Sequence, residues 1–576
     1  MKHRRHSLLA ALVVALLGLS AMQATALTTG PGEDPAAERE RERPRRASTA
    51  EETVAAMQPG WNVGNTLDAI PDETSWGNPR ITRELLAAIH DQGFNSIRLP
   101  VTWTDHQGGA PNHTIDAAWM DRVEEVVDMA LDEGLYVLLN THHDSWQWIR
   151  DMPTQHDAVL DRYTATWTQI AERFRDAPPE LLLESVNEPQ FTGSTGEAQE
   201  FELLDELNTT FHSIVRGTGG NNADRVLVLP TLHTNSEQAR LDPLVDTIAS
   251  LNDPNLAATV HYYGFWPFST NIAGYTRFND EVRQDVTANF DRVYNTFVSQ
   301  GIPVIVGEYG LLGFDRSLGT VQHGETLKFF EYFGSYARQR QLTTMWWDNG
   351  QHFDRAALTW RDPSLYRQIR SSWTTDSATA SSDQIFVRAG QAPADATLTL
   401  NLNGNSLTSV LNGSAELVRG QDYTVDGDRL TVTGATLARL TEGQGHGVNA
   451  TLSLRFDSGA PWDVHVITYA TPVLQNATGT TGGLTIPTAF NGDQLATMEA
   501  VYADGGNAGP HDWTSYKEFG IAFSPDYGAG RITLPQAFFD AVNDNSTVRL
   551  TFHFWSGETV TYTLTRSGTT VTGTAG

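Results

Sequence analysis

Two glutamates in this sequence stand directly after short apolar runs, where a strand would end. Glu188 lies in the triplet NEP, and Glu308 lies in the motif GEYG. Two carboxyl groups about 5–5.5 Å apart can cleave a glycosidic bond, because one protonates the leaving oxygen and the other attacks the anomeric carbon. The two residues are far apart along the chain, so only the fold can bring them together.

Each role in this chemistry predicts a neighbouring residue. The nucleophile, for which Glu308 is the candidate, must stay ionised, so a cation is expected beside it. Arg98, in the motif IRLP, is the candidate cation, and Tyr263 can hold the second carboxylate oxygen of Glu308. A tryptophan of the motif MWWDNG, which contains the last apolar run, can form a flat floor for the sugar ring.

The candidate acid, Glu188, must keep its proton until the leaving oxygen takes it, which requires a raised pKa. We expect the negative charge of Glu308 to raise the pKa of the Glu188 carboxyl. His261 can tune this acid, although a hydrogen-bonded core histidine is the alternative interpretation of that residue. Asn187 can hydrogen-bond the sugar 2-hydroxyl, an interaction that strengthens in the transition state.

Adjacent histidines follow the third apolar run, in the segment His142-His143-Asp144. They could ligate a metal, but neighbouring residues of a strand point to opposite faces, so we do not expect the pair to share an ion. The sequence has no cysteine, which excludes disulfides, thiolate catalysis and cysteine metal sites. We therefore predict a site that holds no metal.

The apolar runs that precede these groups repeat in a strand–loop–helix pattern from about residue 50 to residue 373. Such runs are typical of parallel strands buried on both faces. The predicted strands are Trp61–Leu67, Ser96–Val101, Tyr136–Thr141, Leu181–Val186, Val226–Leu232, Ala257–Tyr262, Pro303–Gly307 and Thr343–Trp347. Eight strand–helix units predict a (β/α)8 TIM barrel, whose active-site groups meet at the carboxyl ends of the strands. A doubly wound open sheet is the alternative, but no glycine-rich phosphate loop follows the first strand.

After Trp373 the pattern changes to alternating apolar and polar residues, with turn signals such as Asn403-Gly404. Alternation of this kind, interrupted by frequent turns, is typical of small all-β sandwiches. We therefore predict a Ser/Thr-rich linker at residues 374–382, followed by two small all-β sandwich domains at residues 383–467 and 468–576.

The N-terminus is typical of a processing signal rather than of a folded element. Basic residues precede an apolar run at residues 8–19, and ATA at residues 24–26 is a small-residue cleavage pattern. The run is shorter than the ~20 residues that span a membrane, so we predict a signal peptide at residues 1–26 and secretion. Residues 27–47 are charged and are predicted to form a disordered leader, which leaves residues 48–373 for the barrel.

The chain has 576 residues and a formal net charge of −30. A protein this acidic repels phosphate backbones, so nucleic acid is not expected as a partner. Its 15 Trp, 16 Tyr and 24 Phe residues offer flat faces that suit sugar rings, although most aromatic residues belong to the core. We expect a monomer whose partners are polysaccharides, without a membrane partner.

The ordered motifs IRLP, NTHH, NEP, HYY, GEYG and MWWDNG resemble glycoside hydrolase family 5 over residues 50–373. This resemblance implies retention of configuration and no metal or organic cofactor. The opening segment WNVGNTLD resembles the branch of the family that is rich in cellulases, lichenases and xyloglucanases. The resemblance implies the catalytic residues Glu188 and Glu308 and the substrate-binding residues Arg98, His142, Asn187, His261, Tyr263 and Trp347. Trp346 is the alternative for the last position.

The two downstream regions resemble modules that accompany cellulases. Residues 383–466, with NLNGNSL and GQDYTVDGDRLTVTG, resemble an immunoglobulin-like module, and residues 470–576 resemble carbohydrate-binding module family 46. Similar three-part enzymes fold the terminal module back over the cleft. This resemblance makes Trp513 a candidate cleft-lining residue, with ordinary sandwich packing as its alternative.

Together these features predict a secreted, retaining endo-β-1,4-glucanase that hydrolyses cellulose and mixed-linkage β-glucan by double displacement. A xyloglucan-specific endoglucanase is one alternative, motivated by the opening motif and the terminal module. A non-catalytic carbohydrate-binding scaffold is the other, motivated by the two β modules. The intact polar groups at the strand ends argue against the scaffold, because an inactive barrel has no reason to keep them.

Overall fold

The computed structural model of this chain describes residues 49–576. The predicted signal peptide and leader therefore lie outside the described residues. Within the described part, no helix has both the length and the apolar character that crossing a membrane requires. The described residues form a barrel followed by two β-rich modules.

Eight parallel strands close into a barrel, each paired with the next and the last paired with the first. The strands are β1 Gly60–Asn62, β2 Ser96–Leu99, β3 Tyr136–Asn140, β4 Leu181–Glu184, β5 Leu227–Pro230, β6 Leu256–Tyr262, β7 Val304–Tyr309 and β8 Thr343–Trp346. Almost all of their residues are buried, since helices cover the outside and side chains fill the inside. The predicted (β/α)8 barrel is confirmed, and every predicted strand overlaps an observed one.

The first strand ends earlier than predicted, at Asn62 rather than Leu67. Asp68 accepts hydrogen bonds from the main-chain N–H groups of Asn65 and Thr66, at 3.1 and 2.8 Å. Asn65 adopts a positive φ of 55°. A side chain that binds the preceding backbone in this way forms a turn, so the chain leaves the barrel wall at this point.

The barrel helices follow the expected signals for helix starts and stops. Thr82 and Asp116 cap helix N-termini by accepting hydrogen bonds from the N–H groups of Leu85 and Ala118, at 3.3 and 2.9 Å. Gly134, with a φ of 84°, follows the end of the second of these helices. The helices are α1 Ala50–Ala56, α2 Arg83–Asp91, α3 Ala117–Asp132, α4 Asp144–Gln147, α5 Met152–Arg173, α6 Glu197–Thr218, α7 Gln238–Leu251, α8 Trp266–Ser269, α9 Asp280–Thr296, α10 His323–Gln339 and α11 Pro363–Ser372.

Most of the regular structure after β8 is β-strand. Its strands are β9 Phe353–Asp354, β10 Thr359–Trp360, β11 Thr379–Ala380, β12 Gln384–Arg388, β13 Ala396–Asn401, β14 Leu407–Asn412, β15 Ala415–Glu416, β16 Tyr423–Asp426, β17 Arg429–Val432, β18 Gly447–Phe456, β19 Trp462–Tyr469, β20 Val473–Leu474, β21 Ala477–Thr480, β22 Gly483–Ala489, β23 Leu495–Tyr502, β24 Ser524–Asp526, β25 Arg531–Pro535, β26 Ser546–Phe554, β27 Thr559–Ser567 and β28 Thr570–Ala575. The two remaining helices are α12 Gly434–Thr441 and α13 Gln536–Asp540.

Strands β11 to β19 form the second module, and strands β20 to β28 form the third. The second module contains two sheets, in the orders β11-β13-β17-β16 and β12-β19-β18-β14-β15. The third contains one sheet whose main path runs β23-β26-β27-β28-β21-β22-β25-β24, with β20 paired to β22. Its apolar side chains form a core of their own, separate from that of the barrel.

The central part of the predicted linker at residues 374–382 is packed rather than exposed. The stretch Ser377–Ala380 is buried, and β11 within it pairs with β13 of the second module. The N–H of Ser377 donates to a carboxylate oxygen of Glu331 on α10, at 3.0 Å. One continuous apolar core also joins the barrel to the second module, where Trp462 is fully buried. The second module is therefore fixed against the barrel.

Candidate active site

A cavity of about 490 Å³ lies at the carboxyl ends of the barrel strands. It is lined by Asn65, Trp76, His142, His143, Trp146, Asn187, Glu188, Tyr263, Glu308, Leu312, Asp315, Trp347 and Asn349. Six of the nine predicted site residues belong to this lining. Arg98 and His261 contact the glutamates of the lining directly, and Trp513 lies outside it.

Glu188 and Glu308 come together in this cavity. A carboxylate oxygen of Glu188 lies within 4.8 Å of a carboxylate oxygen of Glu308. This separation is close to the about 5–5.5 Å that lets one carboxylate attack the anomeric carbon, and below the ~6.5–9.5 Å that leaves room for a water. The Glu188 side chain is 46% exposed and that of Glu308 is 6% exposed, so Glu188 is the more accessible of the two side chains.

Arg98, on β2, is the cation beside Glu308. Its side chain is completely buried, and Nη1 donates to Oε1 of Glu308 at 2.6 Å. Nε and Nη2 donate to the two oxygens of Glu184, at 2.8 and 3.1 Å. Nη2 also donates to Oδ1 of Asn187, at 2.7 Å. Burial alone would lower the pKa of Arg98, but the charges of Glu184 and Glu308 outweigh it and raise that pKa above its ordinary value.

Glu184, the last residue of β4, is a site residue that the sequence analysis missed. It is fully buried, and besides Arg98 it accepts a hydrogen bond from Nδ2 of Asn140 at 3.2 Å. Glu184 therefore fixes the guanidinium in the orientation in which Nη1 meets Glu308. A signal was present in the sequence, because a charged residue inside the apolar run Leu181–Val186 requires a buried partner.

Two further side chains surround the carboxylate of Glu308. The hydroxyl of Tyr263 donates to Oε2 at 2.5 Å, and burial together with the charge of Glu308 raises the pKa of this tyrosine well above its ordinary value. His142 approaches from another side, with Nε2 3.9 Å from Oε1. Burial lowers the pKa of His142 well below its ordinary value, so its imidazole is neutral. Nδ2 of Asn140 donates to Nδ1 of His142 at 3.1 Å, which leaves the imidazole proton on Nε2.

The carboxyl of Glu188 contacts a histidine. Nδ1 of His261 lies 2.9 Å from Oε1 of Glu188. Burial would raise the pKa of Glu188, but the hydrogen bond from His261, with the charges of His261 and Arg98, outweighs burial and lowers it. The raised pKa expected from the sequence is therefore wrong for the free site, because the interaction with His261 outweighs burial.

A β-bulge at Gly307 sets the direction of the Glu308 side chain. The register of β7 against β6 shifts between residues 306 and 308, so Gly307 is an extra residue on β7. A Cβ atom at Gly307 would lie 2.8 Å from Oγ1 of Thr259 and 3.1 Å from Nε2 of His261. The first distance is too short for an added methyl group and the second is tight, so the bulge that turns Glu308 into the cavity favours glycine.

We expect Gly307→Ala to reduce kcat by about 100-fold, because the added methyl group displaces Glu308 or His261 by about 1 Å. Gly310→Ala is the matched control on the other side of Glu308. A Cβ at Gly310 would lie 3.5 Å from Tyr263, an ordinary contact, so this variant should retain nearly normal kcat. Steady-state kinetics of both variants, with circular dichroism as a check of folding, makes the comparison. Similar kcat values for the two would mean that the bulge does not position the nucleophile.

The two adjacent tryptophans at the end of β8 have different surroundings. Trp346 is 1% exposed, and its ring stacks on Trp360 in the core, with 5.1 Å between the ring centroids. Trp347 lines the cavity, and its ring is nearly parallel to that of His142, at an interplanar angle of 6°. Trp347, and not Trp346, is therefore the tryptophan that a sugar in the cavity would meet.

Three apolar side chains in the cavity lining were not singled out from the sequence. Trp76, Trp146 and Leu312 are 40%, 37% and 40% exposed. Both tryptophans pack near His143, with ring centroids 5.2 and 5.4 Å from that of the imidazole. Large apolar side chains that stay exposed beside a cavity mark a binding surface, and a flat indole suits the face of a sugar ring.

The argument that separated His142 from His143 is wrong for this structure. Atoms of Asp68, His142 and His143 that could bind a metal lie within 4.8 Å of one another. The alternation of a strand does not apply, because β3 ends at Asn140 and the histidines follow it. Nε1 of Trp146 donates to Nδ1 of His143 at 2.8 Å, so Nε2 carries the proton that faces Asp68 at 3.3 Å. Nδ1 of His143 is therefore engaged by Trp146, whereas Nε2 lies near Asp68 without a hydrogen-bond partner among the described residues.

Trp513 of the third module reaches the barrel outside the cavity lining. It is 57% exposed, and its ring centroid lies 6.1 Å from that of Trp266, the first residue of α8. Trp266 is itself 41% exposed. Two exposed indoles from different domains therefore stand next to each other at the loop that follows β6.

A (β/α)8 barrel with two closely spaced glutamates, one beside a histidine and one held by an arginine and a tyrosine, defines a glycoside hydrolase. The family model of cellulases (glycosyl hydrolase family 5) matches residues 60–353. The chain belongs to this family and is an endoglucanase-type glycoside hydrolase. Models of two carbohydrate binding domains, X2 and CBM46, match residues 379–466 and 470–574, where the sequence predicted two modules.

Relatives share the three-part architecture of this chain. Endoglucanase B of Paenibacillus lautus is 57% identical over 532 residues, which cover 92% of this chain and 94% of that protein. The structure of the tri-modular endo-β-1,4-glucanase B from Bacillus halodurans aligns with a TM-score of 0.91 and 51% identity, covering 92% of this chain and 100% of that one. A tri-modular subfamily 4 endo-β-1,4-glucanase from Bacillus licheniformis, complexed with cellotetraose, aligns with a TM-score of 0.78 and 33% identity over 92% of this chain and 99% of that one.

Proposed function

We propose that this enzyme is a retaining endo-β-1,4-glucanase that hydrolyses cellulose and mixed-linkage β-glucan by double displacement. The observation that carries the proposal is the approach of Glu188 and Glu308, whose carboxylate oxygens lie within 4.8 Å of each other. The names of the relatives, endoglucanase and endo-β-1,4-glucanase, support the substrate class.

In the first step Glu308 attacks the anomeric carbon while Glu188 protonates the leaving oxygen. The glycosidic C–O bond breaks, an ester forms between the sugar and Glu308, and the rest of the chain leaves as an alcohol. Arg98 and Tyr263 each hold one oxygen of Glu308, which aims the carboxylate before the attack. When the ester removes the charge of Glu308, Arg98 keeps Glu184 as its counter-ion.

In the second step Glu188, now a carboxylate, takes a proton from a water that attacks the anomeric carbon. The ester bond to Glu308 breaks, and the sugar is released with its original configuration. When Nδ1 of His261 carries the proton, it donates to Glu188 and stabilises the carboxylate form between the two steps. The side-chain oxygen of Asn187 accepts from Arg98, so its NH2 group is left to donate to the sugar 2-hydroxyl.

Exposed tryptophans on different sides of the barrel support cleavage within a long chain. Trp76 and Trp146 follow β1 and β3, whereas Trp266 follows β6 and lies beside Trp513. In an eight-stranded barrel these loops lie on different sides of the central cavity. A β-glucan chain that crosses the cavity can therefore meet an indole on both sides of the bond that is cleaved.

Initial rates on carboxymethylcellulose, lichenan, xyloglucan and mannan test the proposal. We expect lichenan and carboxymethylcellulose to be hydrolysed, with mannan nearly inert. Xyloglucan as the only good substrate would favour the xyloglucan-specific alternative, and release of no reducing sugar from any polymer would favour the scaffold. High activity on mannan without activity on glucans would contradict both glucanase assignments.

We expect Trp513→Ala to raise KM for lichenan about 3- to 10-fold, because a lost stacking contact removes roughly 0.5–1.5 kcal/mol of binding. Hydrolysis of short cello-oligosaccharides should change less, since a short chain held at the glutamates need not reach the third module. The measurement is a comparison of KM and kcat on both kinds of substrate. Equal losses on the two would assign Trp513 a packing role instead.

We also infer that the enzyme is secreted and works as a monomer on extracellular polysaccharide. The basic start, the apolar run at residues 8–19 and the cleavage pattern at residues 24–26 support secretion. N-terminal sequencing of the protein from culture medium tests this, with a mature chain that begins at residue 27 as the expected result. A protein retained in the cell with its N-terminus intact would contradict it.

A further inference from the structure

The carboxylate of Glu518, in the third module, has partners in two different domains. Its side chain is only 4% exposed. Oε1 forms an ion pair with Nη1 of Arg316 on the barrel, whereas Oε2 lies 2.7 Å from Nε2 of His511 in the third module. A buried carboxylate that contacts both partners links them, and loss of Arg316 would remove the arginine that compensates its charge.

Arg316 directly follows one wall of the active-site cavity. That wall is the segment Leu312–Asp315, a 3-10 turn after β7. The side chains of Leu312 and Asp315 line the same cavity as Glu308. Burial, followed by the charge of Glu308, raises the pKa of the Asp315 carboxyl, so this side chain lies within electrostatic reach of the nucleophile. A shift of Arg316 would therefore move groups that face the reacting sugar.

Other contacts of the third module support the same stretch of the barrel. Nδ2 of Asn271 donates to the carbonyl of Thr320, in the segment after β7, and to the carbonyl of Ala496, at 3.0 and 2.9 Å. Gly520, with a φ of +77°, packs directly on Arg316, and a Cβ atom there would lie 3.1 Å from Cδ of the arginine. The third module is therefore shaped to receive Arg316 and the backbone beside it.

The loop that carries Trp513 is held without Glu518. Lys517 is completely buried, and its Nζ donates to three main-chain carbonyls within residues 510–514, at 2.6–3.2 Å. This buried ammonium group fixes the loop from inside the third module. Loss of the Glu518 charge should therefore loosen the barrel side of the contact more than the loop that presents Trp513 and His511.

We propose that Glu518 is a positioning residue for the hydrolytic reaction. Through Arg316 it holds the wall Leu312–Asp315 against the sugar at the glutamates, so the third module raises turnover even on substrates that do not extend to Trp513. The inference rests on the proposed function, since it concerns the rate of the same reaction. It assigns the third module an effect on catalysis that is separate from sugar binding.

The test compares Glu518→Gln with Glu558→Gln on p-nitrophenyl β-cellobioside. Glu558 forms a similar ion pair with Arg388, but that pair joins the third module to the second and does not involve the barrel. We expect Glu518→Gln to lower kcat about 10-fold with a smaller change in KM, because misplacement of an active-site wall acts on the transition state. Glu558→Gln should keep the wild-type kcat.

A double-mutant cycle with Arg316→Gln separates positioning from general destabilisation. If Glu518 acts through Arg316, the double variant should lose no more kcat than Glu518→Gln alone. Assays run well below the unfolding midpoint of each variant exclude loss of folded protein as the cause. The inference would be overturned if Glu518→Gln kept the wild-type kcat or lost only as much kcat as Glu558→Gln. It would also be overturned if the losses in the cycle were additive. Failure of the proposed function would give a different result, because the wild-type enzyme itself would then be inactive on every glucan.

Discussion

Replacement of Glu308 by glutamine is expected to reduce kcat on β-glucan by about 10⁴-fold or more, with the fold intact. The amide keeps the shape of the side chain, and its oxygen can still accept a hydrogen bond from Arg98 while its NH2 group donates to the oxygen of Tyr263. It cannot form the glycosyl ester, because the neutral amide is a poor nucleophile. Arg98 retains Glu184 as its counter-ion, so no buried charge is left alone. Reducing-sugar release under saturating lichenan measures the effect.

Glu331→Gln is the matched control for this substitution. Glu331 is another buried glutamate of the barrel, on α10, and it is 2% exposed and outside the cavity lining. Burial raises the pKa of its carboxyl to about 8, so at pH 7 it is mostly uncharged, as glutamine is. We expect this variant to keep the wild-type kcat. Activity above about one-tenth of wild type in Glu308→Gln would exclude Glu308 as the nucleophile.

The second large effect is expected for Arg98→Met, which should abolish turnover and lower the free energy of unfolding by about 3–5 kcal/mol. Arg98 is the cation between Glu184 and Glu308, and all three side chains are at least nine-tenths buried. Methionine fills much of the space but leaves two carboxylates without a positive partner. Urea unfolding followed by tryptophan fluorescence measures the change in stability.

A double variant shows whether unpaired charge is the cause. In Arg98→Met/Glu184→Gln the fully buried carboxylate is removed together with its partner, so much of the lost stability should return. Activity should not return, because Glu308 still lacks the cation that holds its Oε1. A double variant as unstable as Arg98→Met alone would show that packing around the guanidinium, rather than charge, determines stability here.

The barrel and the position of the two glutamates could be predicted from the sequence because both depend on local patterns. Each barrel strand is a short apolar run, and Glu188 and Glu308 stand at the ends of two such runs. The rule that strand ends of a barrel share one face then brings them together. The outside of the barrel is covered by helices with ordinary N-terminal caps. A single residue such as Asp116 can mark the start of such a helix.

The surroundings of the glutamates could not be predicted, because they depend on atoms from distant strands. The closed barrel decides which carboxylates share Arg98. It also brings His261 to Glu188, and this hydrogen bond is the main reason why the pKa of Glu188 is lowered rather than raised. The bulge at Gly307 could not be recognised in the sequence, because nothing there distinguishes this residue from the other glycines among the 49 in the chain. The neighbour of Trp513 likewise follows only from how the third module meets the barrel.

The anomeric configuration of the first product tests the central claim most directly. If Glu308 forms an ester with the sugar and Glu188 then directs water to the same face, the new reducing end must be β. Proton NMR of cello-oligosaccharide hydrolysis, recorded before mutarotation, distinguishes the two anomers. We expect the β-anomer signal to appear first and the α-anomer to grow in only as mutarotation proceeds. An initial α-anomer would mean that a water attacks directly, which would contradict the mechanism that the spacing of these two carboxylates supports.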